Sequence, residues 1–156
     1  MADVVDAATR SRMMAGIKGS NTRPEIQTRK YLHARGYRFR LHRKDLPGRP
    51  DLVLPKYRAA VFVHGCFWHA HEGCSFFRIP STRRAFWEDK LLGNRKRDER
   101  DVAELLARGW RVAVIWECGL RDGDSGLESL VAWLAHDGQT IELATDRAPL
   151  LRDVCD

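Results

Sequence analysis

Cys66, His71 and Cys74 fall within nine residues, and Cys118 follows the apolar stretch that ends at Trp116. Three thiolates and one imidazole complete a tetrahedral zinc sphere, and four protein ligands with no open position mark a structural rather than a catalytic ion. The expectation is therefore a structural Zn2+ that ties a long loop to a neighbouring strand. His69 could stand in for His71, since only one imidazole is needed to close the set. Buried reduced thiols are the plainer alternative, because free cysteine favours interiors and reducing compartments disfavour disulfides. Cys155, near the C-terminus, stands apart from this group and reads as a spare thiol.

A second constellation is acidic and basic rather than soft. Asp51 follows Pro50 at the mouth of one strand, and His64 and His69 leave the next strand beyond a hairpin. Cleaving a phosphodiester needs a carboxylate to hold a hard divalent cation near the phosphate and a group to accept the proton of the attacking water. Asp51 suits the first task and His69 the second. His64 could orient the phosphate or share the base role, and Glu25 could reach the metal through water. Each residue also has a structural reading: Asp51 as a turn carboxylate, Glu25 as a capping residue, the histidines as loop hydrogen bonders. What favours chemistry is that Asp51, His64, His69 and the first three zinc ligands share a 24-residue span of a basic chain.

The elements that must hold these residues are legible around them. Thr22-Arg23-Pro24-Glu25 is a helix start, with Thr22 as N-cap, Pro24 in the first turn and Glu25 at the capping-box position; Gly36 stops that helix. Residues 37–41 alternate like a half-exposed strand, and Leu46-Pro47-Gly48-Arg49-Pro50 is turn chemistry leading into a strand at 51–54. Beyond a turn at Pro55-Lys56, the continuous apolar run 59–63 predicts a central strand covered on both faces. Residues 64–79 have no steady period and read as a loop organised by something other than a core. Helices are expected over 84–92 and 96–108, a buried strand over 111–116 and a last amphipathic helix around Leu127, Leu130, Val131 and Leu134, followed by a weakly patterned tail. Phe62 and Phe86 are expected in the core. The order predicts an α/β fold with a central mixed sheet flanked by helices, made of a flexible basic arm over 1–20 and a single domain over 21–156.

The 156 residues carry a net charge of +6, 44% hydrophobic residues and 31% charged ones, the composition of a soluble globular protein. No apolar run approaches a bilayer span and the start lacks a secretory pattern, so a cytoplasmic location and no membrane partner are expected. Net charge is +8 over residues 1–50, +3 over 51–110 and −5 over 111–156. A positive field concentrated in one half attracts polyanions, of which nucleic acid is the commonest in a cytoplasm.

Three segments carry a closer likeness: Leu46-Pro47-Gly48-Arg49-Pro50-Asp51, Val63-His64-Gly65-Cys66-Phe67-Trp68-His69, and Trp110-Arg111-Val112 with Trp116-Glu117-Cys118. Together with Ala8-Thr9-Arg10-Ser11 they resemble the very short patch repair endonuclease family, in order and with matching spacing from about residue 3 to 120. The resemblance implies a restriction-endonuclease-like core that nicks the strand carrying thymine in a T:G mismatch, 5′ of that thymine, where 5-methylcytosine has deaminated. It implies Mg2+ held by Asp51 and the main-chain carbonyl of Val63, with His69 as general base, His64 assisting, and zinc on the four ligands above. Thr replaces Val63 in some members, a change that a main-chain ligand survives. It further implies Phe67, Trp68 and Trp87 wedged into the base stack, Met14 entering from the opposite groove, and Lys90 and Asn94 contacting the mismatch. Double-stranded DNA and mismatch-repair proteins of the MutL type are the implied partners. A monomer is expected, since a nick needs one active site. Two other readings fit part of the pattern: a zinc-containing DNA-binding module without catalysis, which leaves Asp51 without a task, and a nuclease of other DNA structures.

Overall fold

The computed structural model describes residues 8, 21–121 and 123–145. The arm expected over 1–20, with Met14, and the Cys155 thiol lie outside the described residues, residue 8 excepted.

Helix α1, Arg23–Ala34, starts where its capping chemistry says it should: the Thr22 hydroxyl accepts the Glu25 N–H at 3.4 Å, and Pro24 occupies the first turn. The Glu25 carboxylate reaches past the cap and accepts the Asn21 N–H at 2.9 Å. Gly36, at φ +87°, turns the chain out of the helix. Tyr31 and Leu32 give α1 its apolar stripe, and that stripe faces the sheet.

Five strands form one sheet in the order β1-β2-β3-β4-β5. They are Arg40–Leu41, Leu52–Leu54, Ala59–His64, Arg111–Trp116 and Thr140–Leu143. β1, β2 and β3 pair antiparallel, while β3, β4 and β5 pair parallel, so the sheet is mixed as expected. The period of two divides the core. Val61, Val63, Ala113 and Ile115 pack against α1 and helix α3, Ser125–Ala135. Ala60, Phe62, Val112, Val114 and Trp116 face helix α2, Arg84–Ala107, which contributes Val102 and Leu105. All six residues of β3 are buried, as a middle strand covered on both faces requires.

Four expectations need correction. Residues 84–108 do not form two helices: α2 runs unbroken for 24 residues through Gly93. An interior glycine costs about 1 kcal/mol relative to alanine, and burial of Leu91, Val102 and Leu105 on the same helix outweighs that. The strand expected over 37–41 is confined to Arg40–Leu41, at the sheet edge. The weakly patterned tail after α3 holds a strand that was not expected, Thr140–Leu143, which pairs parallel with β4 at the sheet edge. Phe86 is not a core residue but 42% exposed, whereas Phe62 is buried.

Among the described residues, no helix is long and apolar enough to cross a membrane.

Candidate active site and metal centre

The turn before β2 is set by sterics. Gly48 adopts φ +74°, and a Cβ there would come within 3.0 Å of the Asp101 Cβ and of the Phe62 ring. A glycine at this point lets the turn close against α2 and β3, and three residues later Asp51 enters the sheet beside β3. The Asp51 carboxylate accepts the Val63 N–H at 2.7 Å. Burial, reinforced by the nearby Glu25 charge, raises the Asp51 pKa from 3.8 to about 6, against the Val63 N–H and the His42 and His69 charges, which lower it. A carboxylate that is this costly to leave bare is well suited to a cation.

Asp51 opens into a cleft of about 1110 Å³ whose walls include Glu25, His42, His64, Trp68 and His69. His64 ends β3 and is buried. Desolvation, with the His69 and His71 charges, pushes its pKa well below the usual 6.5, so it is a neutral ring. His69 lies flat on it, centroids 3.8 Å apart. The His69 Nδ1 sits 2.6 Å from Oδ2 of Asp98, on α2. A carboxylate only accepts, so Nδ1 carries the hydrogen of neutral His69 and Nε2 carries the lone pair.

Across Asp51 stands a second pair of the same kind. The Nε2 of His42 lies 3.2 Å from Oε2 of Glu25, and the Arg29 guanidinium donates to the same oxygen at 2.9 Å. His42 follows β1 with φ +47°, and its N–H donates to the Asp51 carbonyl at 3.2 Å. One donor atom each from Glu25, His42 and Asp51, and likewise from His64, His69 and Asp98, lies within 4.8 Å of the others in its group.

The four residues expected to bind zinc come together. Donor atoms of Cys66, His71, Cys74 and Cys118 all lie within 4.8 Å of one another and all four residues are buried. The three cysteines are free thiols. Topology explains the convergence: β3 and β4 are parallel with His64 opposite Trp116, so Cys66 and Cys118 follow at the same end of the two strands, each two residues further on. His71, whose Nδ1 lies 3.6 Å from the Cys118 sulfur, stacks on Trp116 at 4.0 Å. It is His71 that joins the sulfurs, while His69 faces the cleft. A hydrogen bond from the Cys66 thiol lowers the Cys118 pKa and raises that of Cys66. Three buried sulfur donors and one imidazole within reach of a common point fit a thiophilic ion such as zinc.

Phe67 and Trp68 leave the loop between Cys66 and His71 and meet Trp87 of α2, with centroids 5.7 and 6.1 Å from its ring. Phe86 joins Trp87 at 5.2 Å, and Lys90 lies 5.9 Å from the Trp68 ring. Phe67, Trp68 and Trp87 are half-buried, and Phe67 and Trp68 line the cleft. The Asn94 amide donates to the Trp68 carbonyl at 3.0 Å, so Asn94 fixes the loop that presents the aromatics. Met14 lies outside the described residues.

Three members of the site were not reached from the sequence: His42, Asp98 and Arg29. A histidine after the basic alternation of 37–41 was a signal for the first. Asp98 and Arg29 sit in charged helical sequence and look like solvated surface.

Comparison with known proteins bears on all of this. The family model of the DNA mismatch endonuclease Vsr matches residues 2–75. The chain is 42% identical over 156 residues to the DNA mismatch endonuclease Vsr of Escherichia coli (strain K12), covering 97% of this chain and 99% of that one. It is 52% identical over 122 residues to the type II nicking enzyme V.XorIIP of Xanthomonas oryzae pv. oryzae, 78% of this chain and 89% of the other. To the type II nicking enzyme V.NmeAIP of Neisseria meningitidis it is 40% identical over 122 residues, 78% and 86% of the two chains.

Proposed function

The chain belongs to the family of the DNA mismatch endonuclease Vsr and is an endonuclease, and from that premise we propose that it nicks double-stranded DNA 5′ of the thymine of a T:G mismatch in a Mg2+-dependent reaction. The observation that carries this reading is the convergence of Asp51 with the Asp98–His69 pair in one cleft beside half-buried aromatics.

Mg2+, held by the Asp51 carboxylate and the Val63 carbonyl, would supply positive charge to the phosphate and acidify a water molecule. His69 Nε2 takes the proton of the attacking water, and Asp98 holds the ring so that this lone pair faces the cleft. His64 supports the His69 ring from beneath. Its low pKa keeps that support uncharged, so no second cation opposes the proton His69 accepts. Cys66, His71, Cys74 and Cys118 hold Zn2+, which when bound supplies cross-linking rather than reaction chemistry.

Mismatch preference belongs to Phe67, Trp68 and Trp87. A T:G wobble costs less to unstack than a paired step, and apolar wedges turn that difference into selectivity. Lys90, exposed beside Trp68, meets the DNA there, and Asn94 acts through the Trp68 carbonyl it holds. The basic residues 1–20 serve as an arm that carries Met14 to the opposite groove. The enzyme acts as a monomer in the bacterial cytoplasm, alongside MutL-type repair proteins, with residues 21–156 as one catalytic domain in a restriction-endonuclease-like arrangement.

The test is nicking of a labelled duplex holding one T:G mismatch, with Mg2+, beside its fully paired control and an Asp51→Ala protein. A nick 5′ of the thymine, absent from both controls, is the expected result. Equal nicking of the paired duplex removes the mismatch reading, and unchanged nicking by Asp51→Ala removes the assignment of the site.

A further inference from the structure

We propose that Arg49 grips a backbone phosphate of the strand being cut, next to the phosphate at Asp51, and so positions that strand for nicking. The inference rests on the reading of Asp51 as the nicking site given above.

The backbone supplies the first argument. Arg49 adopts φ +48°, directly after Gly48 at +74° and directly before Pro50. In that region a Cβ crowds the carbonyl oxygen that follows it, which is why glycine is the usual occupant. At residue 49 a side chain is carried at a cost in stability, and its neighbours hold the turn in place. The Arg49 N–H donates to the Leu46 carbonyl at 3.2 Å, Leu46 and Pro50 are buried, and Gly48 is pressed against Phe62 and Asp101. The backbone that bears the guanidinium is thus fixed two residues from Asp51.

The side chain supplies the second. Among the described residues two other arginines have a positive φ, and both have their heads engaged. Arg58, also at φ +48°, donates to the carbonyls of Arg108 and Gly109 at 3.2 Å, and the Arg83 guanidinium lies 4.3 Å from the Phe86 ring centre. Those two heads hold the protein's own parts together. The Arg49 head is exposed and has no partner among the described residues.

The charges of the cleft point the same way. Lys44 and Arg49 both stand in its wall, and Lys44 is exposed as well. The carboxylates of the cleft are turned elsewhere: Glu25 to Arg29, Asp98 to His69, Glu117 to the Cys66 N–H at 3.3 Å, and Asp51 to the Val63 N–H. Neither cation is neutralised from within, so the wall keeps its charge for a ligand. Residues 42–50 lead from β1 into β2, whereas Phe67 and Trp68 follow β3; because β2 lies between β1 and β3, cations and aromatics flank Asp51 from different sides. A strand whose bases meet the aromatics and whose phosphate lies at Asp51 is led on toward Lys44 and Arg49. A guanidinium with an open fork takes phosphate by two parallel N–H···O bonds. Arg49 takes the neighbouring phosphate rather than the reacting one, because its head stands at the exposed rim while the Asp51 carboxylate lies against β3.

The experiment measures binding of the full chain to T:G duplexes in which one phosphate at a time beside the nick site is replaced by a neutral methylphosphonate. Ca2+ stands in place of Mg2+ to slow cutting, and the proteins are wild type, Arg49→Gly and Arg49→Lys. Wild-type affinity should fall about tenfold when one particular phosphate next to the nick site is neutralised. Arg49→Gly should bind the natural duplex about tenfold more weakly and be indifferent to that same replacement. Its slope of log affinity against log salt should be shallower by about 0.9, the loss of one phosphate contact in duplex DNA. Arg49→Lys should keep the wild-type slope with part of the affinity. Glycine relieves the backbone at this position, so Arg49→Gly should melt no lower than wild type, which separates lost grip from lost fold. A wild-type slope in Arg49→Gly, or the same further loss as wild type at every neutralised phosphate, would overturn the proposal. Nicking of the natural duplex in Mg2+ tests the reading beneath it. If Asp51→Ala cuts as wild type does, the assignment of the site fails; if Asp51→Ala is inactive and Arg49→Gly binds as wild type does, this inference alone fails.

Discussion

His64 and His69 lie face to face, with ring centroids 3.8 Å apart and planes 2° from parallel. The inner ring is buried and uncharged, and the outer one is held edge-on by Asp98. Two cationic rings at that spacing would repel, and burial keeps the inner ring, His64, neutral beneath the one that lines the cleft.

Asp98→Asn therefore should lower the nicking rate about 100-fold, the scale of a misdirected acid–base group, with little change in affinity for mismatched duplex. The amide can donate to His69 Nδ1 and favour the wrong tautomer. Single-turnover rates set beside binding isotherms measure this. A loss of binding as large as the loss of rate would make Asp98 a DNA contact instead.

Asp51 predicts an opposite pair of effects on activity and stability. Its carboxyl pKa is near 6 when folded, against 3.8 when exposed, so folding favours the protonated form. The associated stability is fully present below pH 4 and is lost as pH rises through 6, amounting to ~3 kcal/mol. In metal-free solution at pH 8, Asp51→Asn should raise the melting temperature, and the gain should vanish near pH 4. The same variant should not nick. A variant that melts below wild type at pH 8 would mean that the carboxylate is stabilised by something other than a bound cation.

Chelation should act on the fold rather than on the reacting groups. Removing the ion from Cys66, His71, Cys74 and Cys118 releases residues 65–79 from β4, and the protein should melt at lower temperature and lose order in that loop. Elemental analysis should find one equivalent of zinc. A folded, active preparation with almost none would refute the structural role.

Trp68→Ala should reduce discrimination between T:G and paired duplex by about tenfold while leaving affinity for paired duplex nearly unchanged. Nonspecific affinity comes mainly from phosphate contacts, whereas an unstacked step is where the ring is needed. Competition binding with the two duplexes gives the ratio directly. Equal losses on both would remove the wedge.

What was legible in the sequence was local. Cys66, Cys74 and His71 are scarce types at short spacing, and the apolar runs of β3 and β4 announce strands covered on both faces. Turn chemistry around Gly48 located the start of β2. What could not be read was tertiary. His42 and Asp98 stand in basic or charged stretches whose local pattern is that of surface, and only the sheet order and the path of α2 bring them to the cleft. β5 was missed although Thr140–Leu143 alternates polar and apolar residues, because four residues is the shortest run in which such alternation signals a strand. The helices expected over 84–92 and 96–108 are one, because the turns on either side of residues 93–95 bury enough to carry the helix through. Phe86 was assigned to the core by residue type alone, yet it stands exposed beside Trp87.

The parallel register that sets Cys118 beside Cys66 has a consequence for how the protein is made. Synthesis runs from the N-terminus, so the segment bearing His64, Phe67, Trp68 and His69 emerges from the ribosome well before its last anchor. Until β4 has been translated, a nascent chain has three of the four candidate metal donors and lacks the strand that leads to the fourth. The loop that presents those residues can therefore take its final packing only once the residues through Cys118 have emerged.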